Sequence, residues 1–232
     1  MPVRLVCFDI DGTILTASGA GRRAIQAALR EVFGSTGPAG YWFDGKTDRQ
    51  IVRDLMRADG FPDAVIDARM DAVLSRYLEL LADELERPEH RPYLHAGVSE
   101  LLDALAARDD IVLGLLTGNL EAGARAKLGA VGIDPTRFPI GAYGSDHEDR
   151  PELPAVAIRR MREMRGVDLP EGALVVIGDT PHDITCGRAV GARAIGVATG
   201  RYSVQELCGH GAAAVFPDLS DTATVVARII EA

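Results

Sequence analysis

Lysine is almost missing from this chain. Only Lys46 and Lys127 occur, and the other strongly basic residues are all arginine. The formal charge is −9, with no basic run and no arginine cluster along one helix face. Affinity for nucleic acid comes mainly from neutralising phosphates, so this balance argues against a nucleic-acid partner. Cysteine is scarce and odd in number. Cys7, Cys186 and Cys208 lie far apart and match neither a paired-cysteine metal motif nor a secreted disulfide framework. Three reduced thiols in a cytoplasmic protein are expected. Long apolar runs are missing as well. Nothing approaches the about 20 residues that span a bilayer, and the short opening apolar segment has no basic lead or small-residue cleavage site. No membrane partner is expected.

What is present is an ordinary globular balance, 47% apolar and 25% charged over 232 residues. That length holds one well-cored domain and a modest insertion. Short apolar runs at 3–8, 111–116 and 173–178, and another at 194–198, read as buried strands; 138–142 and 213–216 are weaker. Between them lie helical patterns at 97–107, 120–131, 152–165 and 181–190. Strands too apolar for a wet face, alternating with helices, predict a doubly wound, Rossmann-like α/β core around a parallel sheet. Residues 16–88 break the rhythm with helical patterns at 20–33, 48–59 and 63–85 and no convincing strand. The expected organisation is a core of 1–15 and 89–232 with a small all-helical cap domain, 16–88, inserted after the first strand. The stripe Ile66, Met70, Val73, Leu74, Tyr77, Leu80 and Leu81 is read as helix packing.

Ligands of open α/β sheets bind at the carboxyl ends of the strands. Three runs end there in polar residues. Asp9-Ile10-Asp11-Gly12-Thr13 follows the first; its two carboxylates can share one side of a turn that Gly12 permits. One could attack phosphorus and the other move protons, or the pair could form a helix-capping acidic turn. Thr117-Gly118-Asn119 follows the second, offering a hydroxyl and backbone amides to a phosphate, or an N-cap threonine. Gly178-Asp179-Thr180-Pro181-His182-Asp183 follows the last. So many carboxylates in one crevice would repel strongly, which implies a hard divalent cation such as Mg²⁺.

In this order and at these spacings the motifs resemble those of the haloacid dehalogenase-like hydrolase superfamily, in its phosphoglycolate phosphatase-like branch with a helical cap. The likeness spans nearly the whole chain. It implies Asp9 as nucleophile and Asp11 as general acid/base. It implies Mg²⁺ held by Asp9, the Asp11 carbonyl and Asp179, with Asp183 in support or ligating through water. Thr117 and the amides around Gly118 and Asn119 would hold the phosphoryl group. The third motif departs from the family's usual lysine: the matching stretch Ser145 to Pro151 offers Arg150, a permanent cation able to clamp phosphate. The cap stretch Gly45-Lys46-Thr47-Asp48 resembles a substrate-selecting loop, in which Lys46 meets a substrate anion or Thr47 and Asp48 cap the following helix. Arg22, Arg23, His147 and His182 are read as surface or supporting residues. The implied activity is a phosphatase acting on a small-molecule phosphate ester of phosphoglycolate or sugar-phosphate type, in a monomer or homodimer. A β-phosphoglucomutase-like phosphomutase shares all four motifs, and a haloacid dehalogenase shares the nucleophile but lacks an acidic residue two positions on.

Overall fold

The computed structural model describes residues 3–166 and 168–231. In chain order it contains β1 (Arg4–Phe8), β2 (Leu15–Thr16), α1 (Ala20–Phe33), α2 (Asp48–Ala58), α3 (Asp63–Leu85), β3 (Tyr93–Leu94) and α4 (Val98–Ala106). There follow β4 (Ile111–Thr117), α5 (Glu121–Ala130), β5 (Ile140–Tyr143), α6 (Leu153–Arg165), β6 (Leu174–Gly178) and α7 (Pro181–Cys186). The chain finishes with β7 (Arg193–Val197), α8 (Val204–Gly209), β8 (Ala214–Phe216) and α9 (Thr222–Ile230).

Six strands form one sheet in the order β5-β4-β1-β6-β7-β8, every pair parallel. This is the doubly wound core that the alternation of apolar runs predicts. All five residues of β1 are buried, because its alternating side chains feed two cores. Val6 and Phe8 pack with α4, α5 and α9 on one face; Leu5 and Cys7 pack with α6 and Cys186 of α7 on the other. Central placement of β1 puts its carboxyl end between those of β4 and β6. Phe8 is level with both Leu115 and Ile177, and the Asp9 amide donates to Ile177 O at 2.9 Å. The three polar strand ends are therefore neighbours.

Helices α1, α2 and α3 lie between β2 and β3, and their apolar faces belong to the same core cluster as Val6 and Phe8. The sequence reading places no strand near this junction. In the structure Leu15–Thr16 pairs antiparallel with Tyr93–Leu94, so the chain leaves and re-enters the core through a two-stranded ribbon. Two residues per strand are too few for a period to show. The helical pattern at 181–190 is likewise cut at Gly187 into α7 and a 3₁₀ turn, Arg188–Val190. Of the stripe along α3, all but Leu80 are buried. The three cysteines are free thiols. Among the described residues no helix is long and apolar enough to cross a membrane.

Candidate active site

A cavity of about 270 Å³ lies over the carboxyl ends of β1, β4 and β6, near the lower end of the range for small-molecule sites. Asp9, Asp11, Thr117, Asn119, Arg150 and Asp179 line its floor. Arg22, Lys46, Asp48 and Tyr77 face it from the helical layer. Asp183 is buried behind the floor, 1% exposed. The structure thus gathers the residues singled out in the sequence around one space.

Local structure fixes each group. Gly12 has φ +84°, and a Cβ there would collide with the Asp179 carboxylate, so the turn after Asp9 needs glycine on both counts. Thr180 and Asp183 close a capping box on α7: the Thr180 hydroxyl accepts from the Asp183 amide, and Asp183 Oδ2 accepts from the Thr180 amide at 2.9 Å. Asp183 Oδ1 accepts from Arg150. Both Asp183 oxygens are thus engaged by the protein. Arg150 Nη2 also lies 3.1 Å from Asp9 Oδ1, and its buried Nε has no partner among the described residues.

Carboxylate oxygens of Asp9, Asp179 and Asp183 lie within 4.8 Å of one another, all three residues buried. Burial pushes the Asp9 carboxyl up to about 6; Arg150 opposes the rise, while Asp183 and Asp11 add to it. Burial, then repulsion from Asp183 and Asp9, raises Asp179 well above the usual carboxylate range. Burial works against the Arg150 charge, but Asp183 and Asp9 outweigh it and its pKa rises. Three carboxylates against one guanidinium leave an excess of negative charge that a divalent cation would cancel, and an all-oxygen set suits Mg²⁺. The residues fit such an ion.

Asp11 points elsewhere. Its Oδ2 accepts from Lys127 Nζ at 2.5 Å and from Asn119 Nδ2 at 2.9 Å. Lys127 Nζ also donates to Asn119 Oδ1 at 2.6 Å, and Asn119 Nδ2 to the Thr117 hydroxyl at 2.8 Å. Lys127 is 4% exposed and takes no part in the sequence-based assignment. Its signal was its rarity: a lysine on the buried face of the helix after Thr117-Gly118-Asn119.

The helical layer is pinned onto this loop. Asp48 N donates to Gly118 O at 2.8 Å, and Leu120 N donates to Asp48 Oδ2 at 2.8 Å. A Cβ on Gly118 would strike Lys46 O, so the two segments meet only because residue 118 lacks a side chain. Burial raises the Asp48 carboxyl to about 6, against the pull of Lys127. Thr47 caps α2 by accepting from the Gln50 amide at 3.1 Å, while Lys46 Nζ reaches Tyr41 Oη at 2.5 Å and Asp54 Oδ2 at 3.1 Å. Tyr77, read as packing alone, also lines the cavity. So does Arg22, whereas Arg23 pairs with Glu84 at 2.5 Å. His147 accepts from the Asp149 amide outside the cavity, and burial lowers the pKa of His182, which sits against Gly45.

Residues 6–188 match a family model described as haloacid dehalogenase-like hydrolase. A curated relative, "Probable phosphatase IndB" of Dickeya dadantii (strain 3937), is 29% identical over 212 residues, covering 88% of this chain and 84% of that protein. A solved structure described as a predicted phosphoglycolate phosphatase from Haemophilus somnus 129pt superposes with TM-score 0.70 at 20% identity, over 97% of this chain and 98% of that one. CbbY from Rhodobacter sphaeroides, solved in complex with phosphate, gives 0.67 at 19% identity over 94% and 96%. At such identities the two structures establish a shared fold.

Proposed function

The chain belongs to the haloacid dehalogenase-like hydrolase family, and on that premise we propose that it is a Mg²⁺-dependent phosphatase hydrolysing a small phosphomonoester through an aspartyl-phosphate on Asp9. The observation that carries this reading is the Asp9 carboxylate itself. It sits at the end of the central strand, beside Asp179 and Asp183 and 3.1 Å from the Arg150 guanidinium.

An Asp9 oxygen attacks phosphorus, and the bond to the leaving alcohol breaks as Asp11 gives that oxygen a proton. Water then attacks the aspartyl-phosphate, passes a proton to Asp11 and frees inorganic phosphate. In this reading Arg150, 3.1 Å from Asp9, holds a phosphoryl oxygen while it restrains the nucleophile, and Thr117 with the Gly118 and Asn119 amides, which line the same cavity, binds the others. Asp9, the Asp11 carbonyl and Asp179 would hold Mg²⁺, which when bound neutralises charge on the transferring phosphoryl group. Asp183, with both oxygens engaged, supports Arg150 and the turn. Helices α1–α3 act as the cap, excluding water above the site. The likeness to the probable phosphatase of Dickeya supports a phosphatase, and Asp11 argues against dehalogenation.

Phosphate release from a panel of phosphate esters, with Mg²⁺ and then with EDTA, tests the reading. Release that needs Mg²⁺ supports it. Isomerised sugar phosphate without free phosphate would assign the site to a mutase instead.

A further inference from the structure

The Asp179 carboxylate lies between two glycines. A Cβ on Gly12 or on Gly200 would overlap it, and Thr13 Oγ1 donates to Asp179 Oδ1 at 3.2 Å. Thr199 joins the two glycines, its hydroxyl donating to Gly12 O at 2.5 Å. Thr199 and Gly200 follow β7, a strand end that the three polar motifs leave out. They form a wall against Asp179, and the place of that wall limits where the carboxylate can point.

The next residue reaches away from the metal cluster. The Arg201 guanidinium stacks 3.5 Å from the centre of the Trp42 ring and lies 3.6 Å from Asp44 Oδ2. Both partners belong to the cap loop that runs through Gly45 and Lys46 into α2. Trp42 is the chain's one tryptophan and is 57% exposed, so its stack with Arg201 is a surface contact. The cap therefore meets the core on both sides of β1. Beyond the ends of β4 and β5, Asp48 N donates to Gly118 O at 2.8 Å and the Thr47 hydroxyl to Glu148 O at 2.6 Å. Beyond the end of β7 stands Arg201. Thr47 and Asp48 are buried, whereas the Arg201 joint is exposed and made of side chains, so it can open without unpacking the core.

Resting on the metal assignment above, we infer that Arg201 is a positioning residue for the metal site. Its grip on Trp42 and Asp44 holds Thr199 and Gly200 against Gly12 and Asp179, so that seating of the cap loop and binding of Mg²⁺ favour one another. Arg201 is bonded directly to Gly200, which leaves no slack between the two contacts. A carboxylate restrained beforehand costs less to order when the cation binds, and such coupling is reciprocal. Charge alone predicts the reverse: removing a cation near a cation site should tighten Mg²⁺ binding.

Mg²⁺ titrations of the full chain, by calorimetry and by Trp42 emission, separate the two. Mg²⁺ should change the Trp42 emission of the unaltered protein. Arg201→Met should weaken Mg²⁺ binding at least about fivefold, the low end of couplings between sites. Trp42→Leu, which leaves every charge in place, should weaken it similarly in calorimetry, and the double variant no further than either. Unchanged or tighter binding by Arg201→Met, or losses that add in the double variant, overturns the inference. A protein that binds no Mg²⁺ refutes the metal assignment alone, and hydrogen exchange in EDTA then decides on Arg201. The amides of Gly12 and Ile14 are bonded to Leu15 O at 2.8 Å and Ile10 O at 2.9 Å. They should exchange at least about fivefold faster in Arg201→Met than in the parent, and equal rates there refute the coupling.

Discussion

Lys127 Nζ lies 2.5 Å from Asp11 Oδ2, though the two residues are 116 apart in sequence. The contact ties the proposed acid/base to the loop proposed to hold the phosphoryl group, since the same ammonium also binds Asn119. Removing it would leave Asp11 held by Asn119 alone.

Lys127→Met should therefore impair proton delivery to the leaving group. General acid catalysis contributes roughly 10²–10⁴-fold, so a fall of at least about tenfold in kcat/KM, which reports the first phosphoryl transfer and not the later attack by water, is expected with alkyl phosphates. The fall should be smaller with p-nitrophenyl phosphate, whose leaving group needs no proton. Steady-state kinetics on both esters reads this. Equal losses on the two would assign Lys127 a purely structural role.

At Arg150 charge and shape can be separated. Arg150→Ala leaves Asp9 and Asp183 buried without their cation, and breaking a buried pair costs about 3–5 kcal/mol. The variant should be inactive and melt well below the parent. Arg150→Lys keeps the charge, and should hold most of the stability while losing activity because one ammonium cannot reproduce the fork. Thermal melts beside kinetics distinguish these outcomes.

Lys127 and Arg150 both act through pairings that only tertiary structure creates. The strand ends were legible because β1, β4 and β6 are apolar runs that stop at polar residues, and a parallel sheet must bring such ends together. Asp9, Thr117 and Asp179 follow from that rule. Lys127 does not, because nothing local in α5 shows that its buried face meets Asp11. In sequence Arg22 reads as a surface or supporting residue, since an early-helix arginine reveals its cavity only when Tyr41 and Phe43 fold against it. The Leu15–Thr16 ribbon leaves no sequence signal because two residues are too short to show a period.

Asp48 makes stability depend on pH. Its carboxyl titrates near 6 in the folded protein against 3.8 when unperturbed, raised mainly by burial. The folded state therefore binds this proton more tightly than the unfolded chain. Its contribution is full below about pH 4 and declines as pH rises through about 6, by ~3 kcal/mol at most from a shift of this size. Asp48→Asn keeps an acceptor for the Leu120 amide and removes the titration. Melts in EDTA at pH 5 and pH 7.5 should differ less in this variant than in the parent. An unchanged difference would place the pH dependence elsewhere.

The central claim is that Asp9 accepts the phosphoryl group, and one measurement bears on it directly. The enzyme is mixed with Mg²⁺ and a phosphoester that it turns over, quenched in acid within its turnover time, and digested for mass spectrometry. The account predicts one phosphoryl group on the peptide carrying Asp9, and neither label nor turnover in a folded Asp9→Asn protein. A label on a different residue, or near-normal turnover by Asp9→Asn, would contradict it.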